Sequence, residues 1–215
     1  MPTDTLKDPA FRRNLGLLAL VAAPFFLNDF LFLQTETALS WLAADYGSKF
    51  LALAILFAVV PLRQAVAGTV ALPRVSWEAA LLAVVAAAII IGADWLLRVP
   101  VDIEIAALKL FQYPKLDSPV LYWTDITFGL VLTAVSEELV FRGAFARLMA
   151  AYLPGAVSMI VASALFFALI HWSHGTTAMA VAFVAGLVLM AFYRRTGSLA
   201  SAMAAHYLVN LWDFL

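Results

Sequence analysis

The stretch AVSEELVFRGA (134–144) sets two adjacent glutamates, Glu137 and Glu138, and Arg142 inside an otherwise apolar run. Further along, FFALIHWSHG contains Phe167, His171 and His174, and AAHYLVNLW carries His206 and Asn210. Each helical residue advances about 100°, so Glu138 and Arg142, four apart, share a face with the acid ahead of the base. Glu137 is turned about 100° from Glu138 and about 140° from Arg142 by the same geometry. Glu138 thus has a neutralising partner on its own helix, which fits a structural ion pair, and Glu137 has none. Ionisable groups inside apolar helices usually face the protein interior and mark a functional site. Glu137 is therefore the candidate reactive carboxylate.

A buried carboxylate beside an imidazole can hold a water molecule and take its proton. A second histidine and an asparagine amide can donate to the oxyanion that forms when water adds to a carbonyl. Each residue also has a blander reading. His171 fits a histidine satisfied at an interface, His174 fits a loop, and His206 with Asn210 fits interhelical hydrogen-bond glue. The chain has no cysteine, and no serine–histidine–aspartate order stands out, so hydrolysis through an activated water is the economical chemistry.

The elements that would position these groups follow from turn signals. Pro154–Gly155 is a natural turn, with Glu137 17 residues before Pro154 and His171 17 after it. An antiparallel hairpin there would bring Glu137 and His171 to matched heights, about 25 Å above the turn. His206 fits less well, only about 14 Å above the Gly197–Ser198 turn. A deeper turn or a bent preceding helix would close that gap. Ala178, Ala182 and Gly186, spaced by four, would let their helix pack closely.

The whole composition agrees with a membrane setting. The 215 residues are 65% hydrophobic and 13% charged, with mean hydropathy +0.96, whereas soluble domains are about a quarter charged. The expected fold is an all-α, polytopic transmembrane bundle of about seven spans (six to eight). They fall near 14–33, 49–71, 78–98, 121–152, 155–172, 176–193 and 198–213. Residues 1–215 read as a single membrane domain, with N-terminal spans over about 14–98 and a catalytic core over about 121–213. Pro61 and Arg63 weaken the second span, and Thr35–Gly47 and Val99–Ser118 read as interfacial. The net charge of −1 and the lack of a basic block argue against nucleic acid as a partner.

With the N-terminus inside, Lys7, Arg12, Arg13, Arg63, Arg74, Arg147, Arg194 and Arg195 fall on the cytoplasmic side. Lys49, Arg98, Lys109 and Lys115 fall outside, and Arg142 lies within the membrane. This eight-to-four split favours a cytoplasmic N-terminus. Asp94 and Asp125 lie near span ends and read as solvated or snorkelling. Asn28–Asp29 reads as a cap at a break or the lining of a cavity. Trp95, Trp123, Trp172 and Trp212 read as interfacial anchors.

Glu137–Glu138–x–x–x–Arg142, Phe167–x–x–x–His171 and His206–x–x–x–Asn210, in that order on three spans, resemble the CPBP family of intramembrane proteases. That family includes the CAAX prenyl proteases of the Rce1 type and the bacterial Abi proteins. The resemblance covers residues about 121–213. It implies an intramembrane endopeptidase of the glutamic type, with no obligatory metal or other cofactor, in which Glu137 activates water with help from His171. It further implies that His206 and Asn210 form the oxyanion hole and that Glu138, Arg142 and Phe167 support the site. The expected substrate is a protein or peptide with a C-terminal, membrane-associated tail, at a bilayer and most simply at a bacterial inner membrane. An outward-facing site would fit a branch that processes C-terminal sorting signals on exported proteins. Two alternatives stand beside this one: a zinc protease using Glu137, His171 and His206 without the usual H-E-x-x-H spacing, and a non-catalytic scaffold or transporter with a proton relay.

Overall fold

The computed structural model describes residues 5–69, 77–98 and 113–214. After a short 3₁₀ turn at Thr5–Lys7, these residues form eight helices. They are α1 (Pro9–Phe32), α2 (Ala38–Ala58), α3 (Val60–Val66), α4 (Trp77–Arg98), α5 (Pro119–Met149), α6 (Ala156–Leu169), α7 (Thr176–Thr196) and α8 (Leu199–Trp212). Five of them, α1, α2, α4 (over Trp77–Leu97), α5 and α7, are long and apolar enough to cross a membrane. The helices α6 and α8 have 14 residues each, about 21 Å of rise, and bring the total to about seven. The protein is an all-α, polytopic membrane protein. The expected interfacial residues Asp102, Glu104 and Lys109, and the charge at Arg74, lie outside the described residues.

Local sequence explains the helix ends. Asp8 caps α1 by accepting from the Ala10 N–H at 2.9 Å, with Pro9 at the first position, where a missing N–H is harmless. That bond, and the Tyr152 hydroxyl after it, hold the half-buried Asp8 carboxyl below its usual pKa. Thr37 and Ser40 form a reciprocal capping box that starts α2 at Ala38. The expected second span, 49–71, is therefore displaced. Most of the segment read as interfacial lies in α2, and the chain breaks at the extended Val59 before Pro61 opens α3. The helix α7 stops at Gly197, whose φ of 67° is left-handed, and Ser198 caps α8 through Ser201 N–H.

α5 is continuous but contains two π-helical stretches, Asp125–Gly129 and Leu139–Ala144. Each replaces the i→i+4 ladder by i→i+5 and turns the following residues about the axis, a feature frequent at functional sites. The second begins directly after Glu138 and contains Arg142.

The helix α7 packs along α6, while α4 lies against α7 and α8, and α8 against α5. A Cβ on Gly186 would come within 2.6 Å of Ala164 Cα, so the two backbones meet there. This is the close approach expected of the small-residue stripe. Gly186→Ala must push α6 and α7 apart, and is expected to destabilise the protein by about 1–3 kcal/mol, read as a shift in detergent unfolding with Gly16→Ala, in open space, as the control.

Long-range hydrogen bonds fix which ends lie together. Asn14 donates to Leu148 O at 2.7 Å and Tyr152 to Asp8 at 2.9 Å, so the start of α1 adjoins the α5–α6 turn. Ser173, in the α6–α7 turn, bonds Asp29 toward the far end of α1.

Candidate active site

Glu137 and Glu138 are both buried, on the last turn of α5 before its second π-helical stretch. Glu138 Oε1 lies 2.9 Å from an Arg142 terminal nitrogen, with both side chains wholly buried. The attraction is one of charge more than of alignment, because no guanidinium nitrogen has an acceptor in hydrogen-bonding geometry among the described residues. The guanidinium also sits 4.1 Å over the centre of the Phe167 ring, where the π face attracts a cation. The i,i+4 ion pair expected from sequence is thus present.

Across from it, His206 on α8 places Nδ1 2.8 Å from Glu138 Oε1 and Nε2 3.7 Å from Glu137 Oε2. One imidazole lies between the two glutamates. Two sequence expectations change here. Glu137 lacks a partner only on its own helix, since an imidazole from α8 approaches it. The two carboxylates, separated by about 100° on an ideal helix, nevertheless meet the same ring.

His206 reaches this level because its turn is deeper than assumed. A Cβ on Gly143 would meet Leu199 Cδ1 at 2.9 Å, so the start of α8 stands beside Gly143 and not beside Pro154. Gly143 is six residues past Glu137, and Leu199 seven before His206. The mismatch of about 11 Å reckoned from Pro154 therefore vanishes.

His171 lies just past the end of α6, in a turn and not within the span assigned to it. Its ring still packs edge-on against Phe167, with centroids 4.9 Å apart. His171 Nδ1 lies 3.1 Å from Phe167 O. A carbonyl can only accept, so Nδ1 carries the proton, and in the neutral ring Nε2 is left as an acceptor. Phe167 therefore touches Arg142, His171 and, at 6.0 Å between centroids, His206.

Two cavities meet among these residues. One, of about 540 Å³, runs between α4, α7 and α8 and is lined by His206 and by apolar groups such as Ile90, Val181 and Leu189. The other, of about 630 Å³, is lined by Glu137 and by residues of α1, α2 and the start of α5. His171, His174 and Asn210 line both. The Asn210 carboxamide makes no hydrogen bond among the described residues, so its N–H groups remain for a bound molecule.

Glu137, His171, His206 and Asn210 thus gather around the meeting of the two cavities, and Glu138, Arg142 and Phe167 stand behind them. Glu137 and His171, expected at matched heights, line the same cavity, and the imidazole that approaches Glu137 directly is that of His206. Among the described residues, no three His, Asp or Glu side chains converge as a metal would require, so the zinc alternative gains nothing from this geometry.

Two polar residues differ from their sequence reading, and a third gains a role beyond it. Lys49, counted as an outside charge, is buried in α2 and paired with Asp45 one turn earlier. Asp125, read as solvated, is 2% exposed and accepts from the hydroxyls of Tyr46, at 2.7 Å, and Tyr113. His174 lies between α6 and α7, a loop position as read, and also lines both cavities. The i,i+4 spacing of Asp45 and Lys49 was the available signal for the first; nothing local announces the other two. Asn28 and Asp29 do line a cavity, as one of their two readings had it.

Residues 119–212 match the family described as type II CAAX prenyl endopeptidase Rce1-like. The match takes in α5 to α8, which carry every candidate residue of the site. No curated protein and no solved structure matches the chain.

Proposed function

From residues 119–212 as an Rce1-like CAAX endopeptidase region, we propose that the protein is an intramembrane endopeptidase of the glutamic type. It cleaves a peptide bond near the membrane-associated C-terminus of a protein substrate. The observation that carries this reading is the single imidazole, His206, set between Glu137 and Glu138 where two cavities meet beside His171 and Asn210.

Glu137 is the general base. It takes a proton from water as the water oxygen bonds to the scissile carbonyl carbon. His171 Nε2, the acceptor nitrogen of its ring, orients the same water. The carbonyl π electrons move to oxygen, and the oxyanion is met by the Asn210 amide and by His206 Nε2–H. Glu138 accepts from His206 Nδ1–H, so His206 Nε2 serves as that donor in the imidazolium form, which carries a proton on both nitrogens. Collapse re-forms the carbonyl and breaks the C–N bond, and the proton held by Glu137 passes to the leaving amine. The products are a carboxylic acid and an amine, and the glutamate is regenerated. Arg142 holds Glu138 in place, and Phe167 backs the guanidinium and both imidazoles.

The N-terminus is proposed to be cytoplasmic, in a bacterial inner membrane. The start of α1 and the α5–α6 turn lie at one end, where Arg12, Arg13 and Arg147 cluster in accord with the positive-inside rule. The removal of buried Lys49 from the outside count widens the asymmetry. The α6–α7 turn, and with it the site, then faces outward, which suits the processing of C-terminal sorting signals on exported proteins. Reporters fused at Gly175 test the orientation. A periplasmic reporter should be active there and a cytoplasmic one silent, and the reverse pattern would remove the outward-facing assignment.

Activity is tested by co-expression with candidate tail-bearing membrane proteins, following the loss of the tail by mass. Cleavage that survives a strong chelator excludes the zinc alternative. A wild-type protein that cleaves none of a broad panel favours the scaffold or relay reading.

A further inference from the structure

The larger cavity carries more charge than water activation needs. Besides Glu137 it is lined by Asp29, Asp45 and Asp125, all buried, on α1, α2 and α5. Lys49 is taken up by Asp45. Lys115, at the rim, has an 89% exposed side chain and pairs with Asp117 at 3.1 Å. Asp29 is held by a serine hydroxyl and Asp125 by two phenols. Those donors are neutral, so they orient the carboxylates without cancelling their charge.

Two further side chains lining this cavity are more than nine-tenths buried and have an unpartnered polar atom. One is Asn28, whose Oδ1 accepts nothing among the described residues while its amide donates to Asp45 at 3.3 Å. The acidic partner fixes that amide orientation, because the flipped one would set oxygen against oxygen. The other is Trp41, whose indole N–H has no acceptor among the described residues. A buried acceptor and donor left unmet each cost about 1–3 kcal/mol. A peptide bearing a cationic side chain supplies both complements: N–H donors for Asn28 and a backbone carbonyl for Trp41.

We propose that this acidic chamber is a specificity subsite that takes a lysine or arginine side chain of the substrate. The cation sits in the field of Asp29 and Asp125, hydrogen-bonds to Asn28 Oδ1, and leaves the adjoining cavity, with its wall of Ile90, Val181 and Leu189, for the membrane-embedded part of the chain. The scissile bond then falls where a basic residue gives way to an apolar segment. The inference rests on the protease reading for its word substrate, but the subsite itself is a matter of binding.

The full-length protein in lipid nanodiscs is titrated with fluorescent peptides in which either two lysines or two glutamines are followed by about 20 apolar residues. Binding is followed by anisotropy and cleavage by mass spectrometry. The lysine peptide should bind about tenfold more tightly, the ratio expected for one buried charge-assisted contact. Asp125→Asn should reduce that preference to about a third of its value or less, with Asp29→Asn as the second variant if the first does not fold. Equal binding of the two peptides by wild type overturns the proposal, as does a preference undiminished in the folded variants, since a chamber that holds only water would behave so. Cleavage without charge preference sinks the subsite and leaves the protease reading standing. Charge-selective binding without cleavage supports the subsite and counts against the protease.

Discussion

Glu137→Gln is expected to lower the rate of cleavage by about 10²–10⁴-fold, the contribution typical of a positioned general base. The protein should remain folded. Glutamine keeps the size of the side chain and can still face His206, but it cannot take a proton from water. Its expected signature is a fall in kcat at nearly unchanged KM, because base catalysis acts in the transition state and not in substrate binding. The comparison with Glu138→Gln is the sharper part. That carboxylate is bound up with Arg142 and His206 Nδ1, so its loss should show in stability at least as much as in rate. Cleavage retained by Glu137→Gln would end the assignment of the base.

Arg142→Met is expected to produce the largest loss of stability of any single substitution at the site, about 3–5 kcal/mol. The guanidinium is fully buried, and its removal leaves the Glu138 carboxylate, equally buried, without its cation. The double variant Glu138→Gln/Arg142→Met should recover part of that loss, because the uncompensated charge has gone with its partner. Unfolding followed by circular dichroism in mixed micelles, at fixed detergent composition, measures both. If the double variant is no more stable than Arg142→Met alone, the arginine holds the fold mainly through its stack on Phe167. The ion pair would then be incidental.

The parts of this protein that were legible in the sequence are those set by neighbours along the chain. An i,i+4 pair such as Glu138–Arg142 requires only helical pitch. The apolar lengths of α1, α4, α5 and α7 require only the bilayer thickness, and the turn at Pro154–Gly155 only local backbone preference. The second span was misplaced because the decisive signal, a capping box at Thr37 and Ser40, lies in polar residues that composition alone assigns to an interface. Lys49 and Asp45 look solvated singly and are buried only as a pair.

What the sequence by itself determined, then, is a polytopic helical membrane protein whose three polar motifs lie on successive parts of its C-terminal half, with Glu137 as the carboxylate lacking a helical partner. Only the tertiary structure decided which imidazole that carboxylate meets. The height of His206 depends on how deep the α7–α8 turn sits, which is set by the packing of Leu199 beside Gly143, a contact 56 residues apart in sequence. The acidic chamber is likewise assembled from α1, α2, α5 and the turn after α6. No periodicity within one helix registers groups that become neighbours only when separate helices pack.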